Sequence, residues 1–228
     1  MITDFKIFEN NDISDCQKYQ RLLDIVNYNR NNILSKFKKY KKEGNSFNVK
    51  CEKYRNRFNE KWEETQNILF HIISLNDYTL IKYLIDNGID INTRYKNKNV
   101  LYAAINQLFT THLSDTKIIE LLIKSGIDLN TPDDDLMTPL IYMSIFYIDK
   151  NEFSDDFDFN KIFNIYKLMF KYGADPNIKD INNLTFIDYL KNIVNESDET
   201  YYENEIILNK LLLLPQIQKA IKRNKFNL

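Results

Sequence analysis

Glycine, proline, cysteine and histidine are scarce in this chain: among 228 residues there are four glycines, four prolines, two cysteines and two histidines. Two cysteines are too few for a disulfide framework or a four-cysteine zinc site, so we expect Cys16 and Cys51 to be ordinary thiols. His71 and His112 have no serine or cysteine nearby in a recognisable nucleophile motif. The composition therefore argues against an enzyme, and we predict no catalytic residue and no cofactor.

Long apolar runs and a strong net charge are also missing. No apolar run approaches the roughly 20 residues that span a bilayer, and the N-terminal residues lack the regions of a secretory signal. The formal net charge is −1, which gives no overall attraction to nucleic acid or to a membrane surface. We therefore expect a cytoplasmic protein with no membrane span.

All four glycines occur in one sequence setting, after an amphipathic stretch and before a short polar motif. Three motifs are nearly identical: Gly88-Ile-Asp-Ile-Asn92, Gly126-Ile-Asp-Leu-Asn130 and Gly173-Ala-Asp-Pro-Asn177. Gly44-Asn-Ser-Phe-Asn48 is a weaker copy. Glycine commonly ends a helix in this place, because it adopts the left-handed conformation at low cost. The chain is therefore predicted to consist of repeats of one unit.

Apolar residues three or four apart predict a pair of helices before each glycine. Residues 13–43 are predicted to be helical with a turn at 29–32, and residues 45–66 to form a long connection that becomes helical near Asn59. The later helices are predicted at residues 67–74, 78–87, 99–105, 117–125, 138–144, 161–172 and 185–190. A closing helix at 203–222 is expected to cover the last unit with its Leu211–Leu214 face. Extra lengths around 110–115 and 148–160 separate the two helices of their units.

This pattern resembles the ankyrin repeat over roughly residues 60–195. The most specific pieces are Thr138-Pro139-Leu140, residues 171–177, and Asp180-Ile-Asn-Asn183-Leu-Thr185, in which Asn183 replaces the glycine of the family's hairpin. The resemblance implies an all-α, ankyrin-like helix–turn–helix repeat solenoid with helical caps at both ends. Its parts would be an N-terminal cap or degenerate repeat at 1–60, repeats at 61–200 and a C-terminal capping helix at 201–228. The family's usual histidine is replaced at four positions: Phe70, Tyr102, Ile141 and Asp188.

The resemblance also implies a function, because ankyrin-like stacks bind proteins through their hairpin tips and the concave face of their first helices. Several residues of that surface are apolar, which favours a protein partner. We expect the chain to be monomeric until the partner binds. For Met137, Ile145 and Phe146, packing against a neighbouring repeat is an equal alternative. Carried onto this sequence, the surface comprises Tyr95, Lys96, Lys98, Asn106, Gln107, Asp134, Asp135, Met137, Ile145, Phe146, Ile181, Asn182 and Leu184.

The source and the partner are constrained only by composition and resemblance. Heavy use of Asn, Lys, Ile, Tyr and Phe suggests AT-rich coding and a microbial or viral source. Ankyrin-like proteins from such sources often engage a host factor or neutralise a cognate toxin. The resemblance thus implies a host-directed effector or a toxin-neutralising immunity protein, and we expect it in the host cytosol if it is viral or an effector.

Two charged stretches suggest other functions. Residues 30–61 contain eleven Lys or Arg and three Glu, so an anionic ligand such as nucleic acid or a membrane surface is the alternative partner. A solvated face of a cap helix is favoured, because no nucleic-acid-binding fold is indicated. Asp156, Asp158 and Asn160 have the opening spacing of a calcium-binding loop, but Lys161 and Lys167 occupy its glycine and glutamate positions. We therefore predict no metal site; the three phenylalanines of this insertion either fold over the repeat edge or fill a partner's pocket.

Overall fold

The computed structural model describes residues 14–28, 32–49, 54–55, 62–63, 67–110, 116–149, 159–195 and 209–226. Residues 209–212 are helical, and the two short strands pair antiparallel. In chain order the remaining elements are α1 (Asp15–Tyr28), α2 (Ile33–Lys42), β1 (Tyr54–Arg55), β2 (Trp62–Glu63), α3 (Ile68–Ile73), α4 (Tyr78–Asp86), α5 (Val100–Thr110), α6 (Lys117–Lys124), α7 (Pro139–Asp149), α8 (Phe159–Lys171), α9 (Phe186–Asn195) and α10 (Pro215–Phe226).

The helices stack in two rows. α1, α3, α5, α7 and α9 pack in series in the first row, and α2, α4, α6 and α8 pack in series in the second. We call α1–α2 unit 1, α3–α4 unit 2, α5–α6 unit 3 and α7–α8 unit 4. Each unit can bury its apolar stripe only against its neighbours, which makes stacking a condition of stability. The predicted all-α repeat solenoid is confirmed.

The second helix of every unit ends where the sequence predicted, at a glycine in the left-handed region. Gly44 has φ 84°, and the corresponding angle at Gly173 is 99°. A Cβ added at any of the four glycines would meet no atom within 4 Å. Backbone conformation, not space, is therefore the reason for glycine.

Unit 1 is a structural repeat, not only a cap. The Asn48 side chain accepts the Asp90 N–H at 2.6 Å and donates to the Gly88 carbonyl at 2.8 Å. Asn130, two units further along, makes the same two bonds to the loop of the following unit, at 2.9 and 3.0 Å. The motif that begins at Gly44 therefore connects its unit to the next one just as the clear copies do.

Asparagine also begins the first helices of units 2 and 3. The Asn67 oxygen accepts the Leu69 N–H at 2.9 Å, and its amide donates to the Asp90 carbonyl at 2.8 Å. Asn99 makes the matching pair of bonds in unit 3. Such a cap contributes about 0.5–2 kcal/mol. In unit 4 a threonine caps instead, and Pro139 is the first helical residue as predicted.

The core runs along the whole stack. Leu84, Leu122 and Met169 are fully buried, and each contributes on the order of 1.5–3 kcal/mol. Their neighbours Ile85, Leu121 and Leu168 are only partly buried. They lie at the edge of the apolar stripe, one helical residue away from its centre.

The connection between units 1 and 2 differs from the prediction. Asn59 lies outside the described residues, but Trp62 and Glu63 are in a strand paired with Tyr54 and Arg55. The expectation that this segment becomes helical is therefore wrong at Trp62. Aromatic residues fit a pleated strand well, and pairing satisfies backbone groups that a loop would leave free.

The C-terminal segment is not one helix. The helical residues 209–212 end before Leu213, and α10 begins at Pro215. Proline cannot donate a backbone hydrogen bond and disfavours the helical conformation in the residue before it, so it separates the two helices. Leu211 is buried but Leu213 is 75% exposed, so the expected apolar face of Leu211–Leu214 is interrupted.

The thiol expectation is also corrected. Cys16, at the start of α1, is disulfide-bonded. Cys51, the only other cysteine of the chain, lies outside the described residues.

Candidate partner-binding surface

Three hairpins project from the loops that join consecutive units. We call residues 94–98 hairpin 1, residues 133–137 hairpin 2 and residues 180–184 hairpin 3. Each follows a Gly-x-Asp-x-Asn motif and precedes a first-row helix, so the stacking of the units sets the spacing of the hairpins. Nine of the thirteen residues that we assigned to the partner surface lie in them.

Hairpin 1 is a tight two-residue turn. Tyr95 and Lys98 exchange both backbone hydrogen bonds, at 2.9 and 3.0 Å. Lys96 and Asn97 have φ 46° and 55°, as a type I′ turn requires. The Arg94 guanidinium closes the turn by donating to the Asn97 carbonyl at 2.7 Å. Lys96 is left exposed at the tip.

Hairpin 2 is organised by a buried carboxylate. Asp133 is 4% exposed, and its Oδ1 accepts the N–H groups of Asp135 and Met137 at 3.1 and 3.0 Å. Leu136 lies at the tip with φ 57° and 48% of its surface exposed. A large apolar residue thus occupies a left-handed position in solvent.

Hairpin 3 repeats this arrangement with a different residue at the tip. Asp180 accepts the N–H groups of Asn182 and Leu184 at 2.9 and 2.8 Å. The left-handed position, φ 63°, is filled by Asn183, as the sequence predicted. Ile181 is 63% exposed.

The Asp180 carboxylate also accepts a hydrogen bond from the Tyr189 hydroxyl, with 2.6 Å between the two oxygens. Burial acts to raise the pKa of Asp180, but the hydrogen bonds from Tyr189 and from the hairpin backbone outweigh it and lower that pKa. Burial, with the same hydrogen bond, raises the pKa of Tyr189 to about 12. The pair fixes hairpin 3 to α9.

Neighbouring hairpins are bonded directly to one another. Arg94 of hairpin 1 donates to the Pro132 carbonyl at 2.5 Å, and the Asn97 amide donates to the Asp134 carboxylate. Between hairpins 2 and 3, the Ile181 N–H donates to the Asp135 carbonyl at 2.9 Å. The three tips therefore form one connected row.

Two of the predicted surface residues also make contacts within the fold. The Lys98 ammonium lies 3.4 Å from the Asp133 carboxylate and 4.7 Å from the centre of the Tyr142 ring. The Met137 carbonyl accepts the hydroxyl of Tyr102, which stands in the place of the family's histidine. Burial raises the pKa of Tyr102, so it stays a neutral donor. Lys98 and Met137 hold hairpin 2 against α5 and α7.

The predicted helix positions divide in the same way. Asn106 is exposed, whereas Gln107 is partly buried with its amide 3.4 Å from the Ser74 carbonyl. Ile145 is partly buried against the core, and the side chain of Phe146 lies outside the described residues. Tyr95 is partly buried, edge-on to the Phe70 ring at 6.1 Å.

Six of the thirteen predicted residues are therefore exposed, and one exposed apolar residue of the hairpins was missed. The missed residue is Leu136. Its signal was available, because Leu136 occupies the glycine place of the hairpin pattern that we recognised at Asn183. The exposed predicted residues are Lys96, Asn106, Asp134, Asp135, Ile181 and Asn182.

The histidines and the acidic insertion add no assembled site within the described residues. His71 Nε2 lies 3.2 Å from the Tyr19 hydroxyl, which joins α3 to α1, and burial lowers the pKa of His71. His112 and residues 150–158 are not among the described residues. In the described part of the chain, no cluster of His, Cys, Asp and Glu could hold a metal ion.

The basic stretch has one exposed face on α2. Lys38 and Lys41 lie over the rings of Tyr83 and Phe47, at 5.9 and 5.4 Å from the ring centres. The other lysines of the helix are exposed, three residues apart in sequence, and have no recorded partner among the described residues: Lys36, Lys39 and Lys42. They form the basic face that the sequence indicated.

Residues 22–133 match a family model described as ankyrin repeats (3 copies). The match begins within α1, so it covers the second half of α1, all of α2 and the Asn48 connection. No protein among the curated proteins matches the chain. Among the described residues, no helix is both long and apolar enough to cross a membrane. Ankyrin repeats are generally protein–protein interaction modules, and typically non-enzymatic. By this match, and by the stacked helix pairs and hairpins, residues 22–133 of this chain are ankyrin repeats.

Proposed function

We propose that this protein is a non-enzymatic module that binds a partner protein through the hairpin row and the adjoining face of the first-row helices. The observation that carries the proposal is the connected row of tips, which exposes Lys96, Asp134, Asp135 and Ile181 along one edge. Because hydrogen bonds already connect the tips before a partner arrives, the row loses little conformational freedom on binding. The change of sign from Lys96 to Asp134 would orient a partner more than it would tighten the complex.

The finer proposals concern the partner and the cell. We propose that the chain is monomeric until the partner binds, and that the partner is a host factor or a cognate toxin. We place it in the cytoplasm. That placement conflicts with a disulfide at Cys16, because disulfides are rare in the cytosol.

The redox state of Cys16 in cells tests the compartment. Trapping thiols with an alkylating reagent before lysis, followed by mass measurement, should show Cys16 reduced if the protein works in the cytosol. If Cys16 is protected from the reagent in most molecules, the cytoplasmic placement is contradicted. That result would not affect the binding proposal.

The binding proposal is tested by quantitative capture from lysates of the native cell. Lys96→Glu with Asp135→Lys reverses the charge of the tips at two exposed side chains. We expect this variant to recover roughly tenfold less of the proteins captured by the wild type, because reversed charges at an interface repel the partner's complementary charges. Equal recovery would contradict the proposed surface, and circular dichroism on both proteins checks that the fold is kept.

A binder of an anionic ligand is the second candidate function, supported by the exposed lysines of α2. Lys39→Glu with Lys42→Glu removes that face and leaves the hairpins unchanged. If this variant alone loses the captured material, and if capture by the wild type falls steeply with salt, the basic face is the binding surface. If only the hairpin variant loses it, the basic face is a solvated helix surface.

A further inference from the structure

Two large aliphatic side chains stand next to each other in solvent on the hairpin row. Leu136 is 48% exposed and Ile181 is 63% exposed. Neither belongs to the residues packed against the core. Their hairpins are joined by the hydrogen bond from the Ile181 N–H to the Asp135 carbonyl. Together they form a small apolar patch in a row whose other exposed side chains are polar.

The fold gives no reason for a leucine at the tip of hairpin 2. A left-handed backbone is strained for a residue with a large side chain. At the equivalent place in hairpin 3 the chain uses Asn183, which tolerates this conformation. A costly residue that contributes nothing to packing indicates a function for the side chain itself.

The patch is flanked by negative charge that no described residue neutralises. Asp134 and Asp135 are exposed, and neither forms an ion pair with another described residue. The Asn97 amide binds Asp134 but carries no charge. Asp133, in contrast, is buried and paired with Lys98. The carboxylate used by the fold is thus compensated, and the two beside Leu136 keep their charge for a ligand.

We propose that Leu136 and Ile181 anchor a partner segment that presents an apolar side chain flanked by lysine or arginine. This inference rests on the proposed binding at the hairpin row and names the chemistry of the partner. Aliphatic contact supplies the affinity, and the carboxylates select the basic flanks.

The test is selection of peptides on the immobilised full chain from a displayed library of random peptides about 12 residues long, enough to cross two neighbouring tips in extended form. We expect enrichment of peptides with Leu, Ile, Phe or Trp next to Lys or Arg. Binding of the synthetic peptides should weaken roughly tenfold or more in the Leu136→Asn variant. Asparagine suits the left-handed position, so this variant should fold at least as well as the wild type. Leu213→Asn, which changes another highly exposed leucine, is the matched control and should leave binding unchanged.

The charge component has its own variant. Asp134→Asn with Asp135→Asn keeps the size of both side chains and should remove the preference for basic peptides. Binding by the wild type should weaken severalfold between low and high salt, and the variant should lose that dependence. Enrichment of acidic or uncharged peptides would overturn the proposal.

Three further results would overturn the anchor. Enrichment of no peptide family is one. A second is that the peptides bind the Leu136→Asn variant normally but bind the Lys96→Glu, Asp135→Lys variant more weakly. That result would contradict the anchor but would still support binding at the hairpin row. Self-association of the purified chain that Leu136→Asn abolishes, measured by sedimentation, would assign the patch to a second copy instead.

Discussion

The loop from Gly126 to Thr138 and the loop from Gly173 to Thr185 have the same length and the same carboxylate-centred hairpin. They differ in two structural features: the residue at the hairpin tip and the bonding of the motif's last asparagine. Leu136 occupies the left-handed tip in the first loop, where the second has asparagine. Asn130 of the first loop bonds to the next unit, whereas the buried side-chain oxygen of Asn177 in the second has no hydrogen-bond partner among the described residues. The shared bonds define what the fold needs. The differences show where the chain is free to serve binding or to end the stack.

Removing the buried carboxylate should have the largest effect in both loops. Asp133→Ala and Asp180→Ala each leave two hairpin N–H groups without their acceptor, which we expect to lower the free energy of unfolding by about 3 kcal/mol. Urea titration followed by circular dichroism measures this. The Asp→Asn variants keep one acceptor oxygen and should lose less. An alanine effect below about 1 kcal/mol at both sites would show that the carboxylates do not organise the hairpins.

The asparagine connection should separate the two loops. Asn130→Ala breaks two hydrogen bonds to the next unit and should cost about 2 kcal/mol. Asn177→Ala removes an oxygen that has no partner among the described residues and an exposed local bond from its amide to Asp175 at 2.8 Å, so its cost should stay below about 0.5 kcal/mol. The same urea titrations measure both. Equal losses would mean that Asn177 is bonded in solution.

Exchanging the tip residues should give opposite, smaller changes. Leu136→Asn relieves the left-handed strain and should stabilise the protein by about 1 kcal/mol, while Asn183→Leu should destabilise it by a similar amount. Differences in thermal midpoint suffice to measure them. Destabilisation by Leu136→Asn would show that the leucine packs in solution, and the strain argument would fail.

The hydroxyl–carboxylate pair should give the second loop a sensitivity to high pH that depends on Tyr189, with the smallest effect. The pKa of Tyr189 is raised from 10.0 to about 12. The protonated phenol therefore stabilises the fold fully below the unfolded-state pKa of 10.0, and that contribution disappears as the pH rises through about 12. Tyr189→Phe should flatten this part of the stability profile by less than about 1 kcal/mol, because solvent screens the partly exposed pair. If the difference in unfolding free energy between the variant and the wild type stays constant across this pH range, the hydrogen bond between Tyr189 and Asp180 does not contribute as we expect.

Local sequence signals predicted the repeat units well. The Gly-x-Asp-x-Asn motif gave the ends of α4, α6 and α8, and its weaker copy gave the end of α2, because a left-handed helix end depends on the residue itself. Asn183 was predicted at its hairpin position for the same reason. Leu136 was missed because leucine is a poor substitute for glycine, and a pattern based on conformational preference ignores it.

Tertiary contacts explain the other differences. Lys98 and Met137 look like tip residues in the sequence, but Asp133 and Tyr102, which bind them, come from other parts of the chain. The strand at Trp62 depends on pairing with the strand Tyr54–Arg55. Apolar spacing alone could not distinguish that strand from a helix.

The sequence by itself determined the repeat, its helix ends and the order of the hairpins, because each follows from residues a few positions apart. Only the tertiary structure decided which tip side chains are exposed. Exposure depends on which groups the stacked neighbours supply, and for the side chains of Leu136 and Ile181 the described neighbours supply no core contact.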